Sequence, residues 1–154
     1  MIKKIYDRDT GNIYDVGADN KLKLVAEGTY DSENSTDFII EYNLDKDLAE
    51  NKFYYIERYD DTDGSKSGVF IRTGSEIHTG NQIYTLVSPV RTIITGVNSD
   101  DDSIVECSIQ YSRTKNMATG VYTHKKISIN SINRIPITQS ESDTLQVYEL
   151  PFSL

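Results

Sequence analysis

Hydrophobic and polar residues alternate along much of this chain with a period of two, the period of a β-strand with one buried face. The clearest case ends at Tyr111, where Val105, Cys107 and Ile109 share one face with it and the intervening residues are polar. Because Cys107 shares this face with Val105 and Ile109, we expect it to be buried in the core. A buried thiol is inert, so we do not expect Cys107 to be reactive.

Two further segments show the same alternation. Leu22, Leu24 and Ala26 lie on one face of a strand predicted for residues 21–27. Apolar and β-branched residues also share one face of a strand predicted for Val121–Ile129, despite the charge of Lys125. Both segments are typical of half-buried strands.

The central feature is a predicted β-hairpin. Lys52–Tyr59 and Lys66–Thr73 are rich in aromatic and β-branched residues, and the acidic, Gly-containing stretch Asp60–Ser65 separates them. Such side chains fit a pleated sheet, and Asp-Gly favours a tight turn. Pro89 predicts a break in the strand region that follows, because proline has no N–H to donate.

One short helix is predicted after a strand at Asp37–Tyr42. Asn43 is a suitable N-cap, Asp45 and Asp47 lie where the helix dipole favours carboxylates, and a leucine pair repeats at helical spacing. We expect this helix to close one end of a barrel or to cover a sheet edge. Ile135–Ile137 is predicted to be an edge strand, and Ser112–Gly120, with its basic residues, a mobile loop.

The fold class that follows is all-β. The chain contains about ten short strands separated by turns about every 8 to 12 residues, which is typical of an antiparallel β-sandwich or barrel. We divide it into an N-terminal arm of short strands, residues 1–20, and a single β domain, residues 21–154, with an apolar tail from Leu150 to Leu154.

Composition narrows the classes of partner. The 154 residues carry a net charge of −8 and have a pI of about 4.7, which disfavours binding to a phosphate backbone. An acidic inhibitor that mimics DNA is one alternative.

A single cysteine excludes an intrachain disulfide, so we expect synthesis in a cytoplasm. We find neither a signal peptide nor a membrane span, so we expect no membrane partner.

Candidate catalytic and metal motifs are weak. Asp9-Thr10-Gly11 copies the aspartic protease triplet, but its context favours a turn. The acidic turns at 61–64 and 100–102 are compatible with solvated carboxylates or with calcium held between turns, although the first breaks the EF-hand pattern. His78 and His124 are predicted to be surface residues. We therefore expect no cofactor and no enzymatic activity.

Eleven tyrosines and no tryptophan are the most suggestive feature. Tyrosine offers a flat apolar ring with a polar tip, so these residues suit core packing, a protein interface or a surface on which a glycan stacks. The candidates are Tyr54, Tyr55 and Tyr59 of the hairpin together with Tyr84, Tyr111 and Tyr122. A carbohydrate-binding module with a tyrosine platform is accordingly another alternative.

Asp-, Asn- and Ser-rich turns between short Tyr- and Ile-rich strands, an N-terminal arm and an apolar tail give the chain a recognisable style. It resembles small β-rich virion proteins of tailed bacteriophages, such as head decoration, fibre-attachment, tail and baseplate subunits. The resemblance implies a structural protein of the virion that binds other subunits through strand edges and terminal arms, as a homo-oligomer or within a larger assembly. The predicted interface residues are Ile2, Ile5, Tyr6, Ile13, Tyr14, Tyr54, Tyr55, Tyr59, Leu150, Phe152 and Leu154.

Overall fold

The computed structural model describes residues 4–6, 11–15, 22–60, 65–87, 90–94, 105–137 and 143–153. These residues form eleven β-strands and no helix. The strands are β1 (Lys4–Tyr6), β2 (Ile13–Asp15), β3 (Lys23–Tyr30), β4 (Ile39–Leu44), β5 (Lys52–Asp60), β6 (Ser65–Thr79), β7 (Gln82–Val87), β8 (Val90–Ile94), β9 (Val105–Asn116), β10 (Tyr122–Ser131) and β11 (Thr144–Ser153).

Eight strand positions close into an antiparallel barrel. The order is β10-β4-β3-β11-β5-β6-β7-β9, and the pairing of β9 with β10 completes the ring. Strand β8 occupies the same position as β7, because β7 pairs with the second half of β9 and β8 with the first half. The all-β prediction is confirmed, and of the two predicted architectures the barrel is correct.

The predicted hairpin is present. Strands β5 and β6 pair from Phe53 opposite Arg72 to Asp60 opposite Ser65, as the aromatic and β-branched runs indicated. The break predicted at Pro89 falls between β7 and β8, at residues 88 and 89, which lie outside the described part of the chain. The prediction of about ten short strands was wrong in number, because the described residues form eleven strands. It was also wrong in length, because β6 spans 15 residues and β9 spans 12.

The core lies inside the barrel and is built from every second residue of its strands. Strand β9 contributes Cys107, Ile109 and Tyr111, each at most 2% exposed, as its alternation predicted. The other buried residues of this cluster are Ala26, Ile40, Tyr42, Leu44, Leu48, Tyr54, Ile56, Ile71, Ile127, Ile129, Ile137, Leu145 and Val147.

The segment 45–51, which we call the plug segment, is not the predicted helix. Its Leu48 is buried in the core cluster, and the backbone N–H of Leu48 donates to the hydroxyl of Tyr111 at 2.9 Å. The next N–H, that of Ala49, donates to the hydroxyl of Tyr54 at 2.8 Å. A helix of two turns is costly to nucleate, and here the barrel wall supplies the partners that a helix would have supplied internally. The segment therefore does close one end of the barrel, but as an irregular loop.

Two β-bulges shift the alternation that the sequence suggested. In β3 the register with β11 changes between Ala26 and Leu24, so Ala26 is buried whereas Leu24 is 46% exposed. In β10 the register with β9 changes between Thr123 and Lys126, and His124 lies there with φ of 53°. Each bulge adds a residue to one strand and reverses which residues face inward before it.

Two other predictions were wrong. Of the predicted loop at 112–120, residues 112–116 belong to β9, and only 117–120 lie outside a strand, in the turn before β10. Ile137 is not on an edge strand: it is 2% exposed in the core, and its N–H donates to the carbonyl of Asp37 at 2.7 Å. Residues 135–137 therefore form a loop that contributes to the core, and not a strand at the edge of a sheet.

We predict that Tyr111→Phe lowers the free energy of unfolding by about 1–3 kcal/mol, because it leaves the buried N–H of Leu48 without its acceptor. The matched control is Tyr84→Phe, whose hydroxyl donates to Gln82 at an exposed site and whose loss should cost at most about 0.5 kcal/mol. Urea denaturation of both variants measures the difference. Equal losses in the two variants would contradict the role of Tyr111 in holding the plug segment.

Candidate functional site

The densest group of charged side chains lies where the plug segment meets the barrel. Arg113 continues the inward face of β9 beyond Tyr111, so its guanidinium enters the end of the barrel and is only 5% exposed. Three carboxylates surround it. Asp47 lies 2.8 Å from one terminal nitrogen, and Glu76 and Glu50 lie 3.0 and 3.8 Å from the other.

Tyr122 of β10 completes this group, which we call the Arg113 cluster (Asp47, Glu50, Glu76, Arg113 and Tyr122). The guanidinium carbon of Arg113 lies 4.1 Å from the centroid of the Tyr122 ring, a cation–π contact. The Tyr122 hydroxyl donates to Glu76 at 3.1 Å. The cluster thus ties the plug segment, β6, β9 and β10 together around one buried positive charge.

The two glutamates of the cluster have opposite tendencies to bind a proton. Burial, then a hydrogen bond with Glu76 and the negative charge of that residue, raise the pKa of Glu50. Burial alone would raise the pKa of Glu76 as well, but hydrogen bonds with Tyr122 and Glu50 and the charge of Arg113 outweigh it and lower the pKa. A proton shared by this pair therefore belongs to Glu50.

A second buried charge lies at the opposite end of the barrel. Arg58, 4% exposed, places a terminal nitrogen 2.5 Å from a carboxylate oxygen of Asp143, which is 2% exposed. The Nε of Arg58 also donates to the Tyr42 hydroxyl at 2.9 Å. A buried pair with this many hydrogen bonds satisfies its own charges and is not presented to a substrate.

A row of aromatic residues lies on the outer surface of the described sheet. Tyr148, Tyr55 and Phe70 lie directly opposite one another across β11, β5 and β6, and Leu24 of β3 lies opposite Tyr148. We call these four residues the outer row. The ring centroids of Tyr55 and Phe70 are 5.0 Å apart, and those of Tyr55 and Tyr148 are 6.1 Å apart. Gly68 makes room for the Tyr55 ring, because a Cβ at position 68 would overlap its hydroxyl.

The predicted interface residues fall in three different environments. Tyr54 is 3% exposed inside the barrel, and Leu150 is likewise buried at 3%. Tyr55 and Tyr59 are half-buried on β5. The burial of Tyr54 removes it from any surface of this chain.

Two of the N-terminal residues of the predicted interface have described side chains, and both are exposed. Tyr6 and Ile13 lie opposite each other in the β1–β2 hairpin and are 63% and 64% exposed. The side chains of Ile5, Tyr14 and Phe152, and the whole of Ile2 and Leu154, lie outside the described part of the chain. The described structure therefore brings only Tyr6 and Ile13 together as an exposed apolar pair.

Other candidate residues behave as ordinary structural residues. His78 and His124 are exposed, as predicted. Cys107 is fully buried, as predicted, and burial raises the pKa of its thiol to about 11. Asp9, Thr10 and the acidic turns at 61–64 and 100–102 lie outside the described residues.

Within the described ranges, no group of three or more His, Cys, Asp and Glu side chains is placed to hold a metal ion. The same ranges contain no helix that is long and apolar enough to cross a membrane. Comparison of the chain with protein-family profiles, with curated proteins and with solved structures finds no match.

Sequence reasoning missed both buried arginines. The available signal was the alternation itself: Arg58 follows Tyr54 and Ile56 at a spacing of two, and Arg113 follows Ile109 and Tyr111 in the same way. The partners are distant in sequence, because Arg58 pairs with Asp143 and Arg113 with residues of two other elements. Only the closure of the barrel brings these charges together.

We predict that Asp143→Asn lowers the free energy of unfolding by about 3–5 kcal/mol, because it removes the carboxylate that lies 2.5 Å from the buried guanidinium of Arg58. The matched control is Glu149→Gln, which removes the charge of a half-exposed pair with Lys52 and should cost at most about 1 kcal/mol. Chemical denaturation of both variants at neutral pH tests this. A small loss for Asp143→Asn would mean that Arg58 does not depend on this carboxylate.

Proposed function

We propose that this protein is a non-enzymatic structural or assembly protein that binds other protein subunits, as a homo-oligomer or as part of a larger assembly. The observation that carries the proposal is the exposed β1–β2 hairpin. Its cross-strand pair, Tyr6 and Ile13, leaves more than 60% of each side chain in water. Burial of such a pair against a neighbouring subunit is favourable by about 25 cal/mol per Å² of apolar surface removed from water.

Barrel closure also supports attachment through the hairpin. Strands β3, β4, β5, β6, β7, β9, β10 and β11 each pair on two sides within the ring. By contrast, β1 and β2 pair only with each other among the described strands. A strand with a free side offers its backbone N–H and C=O groups to a neighbouring chain. The expectation that strand edges bind subunits therefore applies best to β1 and β2.

The filling of the barrel favours a structural role over a ligand-binding one. Its interior holds large side chains such as Tyr42, Tyr111 and Leu48, all at most 1% exposed. Buried ion pairs hold both ends, centred on Arg58 and Arg113. A barrel packed in this way suits a rigid body that carries an arm.

The style of the sequence supplies the proposed setting, a virion of a tailed bacteriophage. Head decoration proteins, fibre-attachment domains and tail or baseplate subunits are the kinds of virion component that it resembles. In this proposal the protein is made in the host cytoplasm and functions within the particle. Direct contact with nucleic acid is not part of the proposal, because the net charge of −8 repels phosphate.

The proposal predicts that the intact chain forms an assembly heavier than its 17.4 kDa monomer and that removal of residues 1–16 returns it to the monomer. Tyr6→Ser with Ile13→Ser should have the same effect without shortening the chain. Ile77→Ser is the matched control, because Ile77 is 51% exposed on the barrel itself. Light scattering coupled to size-exclusion chromatography measures the molar mass. Assembly that survives in the Tyr6 and Ile13 variant would overturn the arm as the point of attachment.

The outer row supports a second candidate function, a carbohydrate-binding module. Tyr55 and Tyr148 are half-buried, and the polar pair Glu57 and Gln146 lies opposite each other across the same two strands. Aromatic faces beside carboxylate and amide groups are suited to stacking and hydrogen bonding with a sugar ring.

This second candidate predicts glycan binding that is lost in Tyr55→Ala with Tyr148→Ala and kept in Tyr84→Ala. Tyr84 is a half-buried strand tyrosine outside the outer row, and its hydroxyl donates to Gln82. A glycan array followed by isothermal titration of any hit measures the binding. Binding that persists without Tyr55 and Tyr148 would place the sugar elsewhere and reject the outer row.

A further inference from the structure

The Arg113 cluster joins a loop to a barrel through groups that exchange a proton. Glu50 belongs to the plug segment and Glu76 belongs to β6, and both carboxylates approach the same terminal nitrogen of Arg113, at 3.8 and 3.0 Å. Two carboxylates that approach one nitrogen this closely repel each other unless one of them is protonated. The protonated member then donates a hydrogen bond to the other.

The surroundings decide which glutamate keeps its charge. Glu76 accepts from both Arg113 and Tyr122 and its side chain is 18% exposed, whereas the side chain of Glu50 is 36% exposed. Ionised Glu76 therefore stays with its two donors. Ionised Glu50 can be hydrated by solvent, and the negative charge of Glu76 repels it.

We propose that this end of the barrel is a pH-dependent latch, in which a proton shared by Glu50 and Glu76 keeps the plug segment docked and loss of that proton at higher pH loosens it. The proton leaves Glu50 for solvent, and no other bond is made or broken. Asp47, 2.8 Å from Arg113, remains as the second anchor of the segment, so the plug segment loosens without detaching.

Charged groups on the neighbouring strands also affect the protonation of Glu50 and Glu76. Lys115 of β9 lies with its Nζ 5.2 Å from the Tyr122 ring and adds positive charge to the cluster. Lys125 of β10 binds the plug segment by donating to the Asp45 carbonyl at 3.3 Å. Further titratable groups in the plug segment or on the strands around it include Asp45, Lys46, Lys52, Tyr54, Arg72, His78, Tyr111 and Glu149.

The sign of the pH effect follows from the two glutamates. Because the pKa of Glu50 is raised, its stabilising contribution is complete below the ordinary value of 4.5 and is lost as the pH rises through the higher folded value. Because the pKa of Glu76 is lowered, its contribution is complete above 4.5 and is lost only as the pH falls through the lower folded value. The latch is therefore strongest near pH 4.5, where both contributions are present, and it weakens as the pH rises from there through the folded pKa of Glu50.

The experiment is a carbon-13 titration of the side-chain carboxyl of Glu50 in the intact protein, combined with hydrogen-exchange protection factors of the Leu48 and Ala49 amides. We expect Glu50 to titrate above 4.5, and both protection factors to fall through the same midpoint as the pH rises. The fall is limited to about tenfold for each pH unit by which that midpoint exceeds the ordinary value.

Two variants make the result specific. Glu50→Gln keeps a donor for Glu76 but has no proton to lose, so the protection of Leu48 and Ala49 should stay constant over that pH range. Glu33→Gln, at an exposed site in the turn between β3 and β4, should behave as the unmodified protein does. The latch is overturned if Glu50 titrates at or below 4.5, if the two amides do not respond, or if Glu50→Gln retains the pH response.

Discussion

The pairing of β9 with β10 is the interaction on which the rest of the structure depends. It turns a row of antiparallel strands into a ring, so that each strand position in the ring has a neighbour on both sides. Backbone N–H and C=O groups that would otherwise be exposed at two sheet edges are thereby satisfied within the chain. Closure also defines an inside, and the position of every core residue follows from it.

A closed barrel still has two open ends, and in this chain each end contains a buried loop residue and a buried arginine paired with carboxylates. At one end the plug segment places Leu48 in the core, while Tyr54 and Tyr111 accept its backbone N–H groups. At the other, Ile137 is buried in the core cluster, and Asp143, further along the chain, pairs with Arg58 of β5. Buried arginines are tolerated at such positions because carboxylates from other elements neutralise them. In the Arg113 cluster, two glutamate carboxylates approach the same terminal nitrogen of the guanidinium.

The same closure separates the body of the protein from its points of attachment. The eight strands of the ring pair on both sides, whereas β8 pairs only with β9 among the described strands, so association must use an outer surface, β8 or an additional element. The β1–β2 hairpin, with Tyr6 and Ile13 exposed, is such an element. The outer row is the other, and it depends on Gly68, whose missing side chain lets Tyr55 lie flat against β6. Assembly through the hairpin and glycan binding at the outer row are thus alternatives that use different parts of one rigid body.

The sequence by itself determined the local features of this protein. A period of two in β9 established its buried face from Cys107 to Tyr111, and β-branched and aromatic runs established the β5–β6 hairpin, because these features depend on neighbouring residues alone. The tertiary structure decided everything that depends on partners distant in the chain. A bulge moved Leu24 outward, tyrosine hydroxyls replaced helical bonding at Leu48, and closure brought Glu50 and Glu76 to Arg113. Alternation shows that a residue faces inward, but it does not show which residues contact it there. The free energy of a buried charge depends on those contacts.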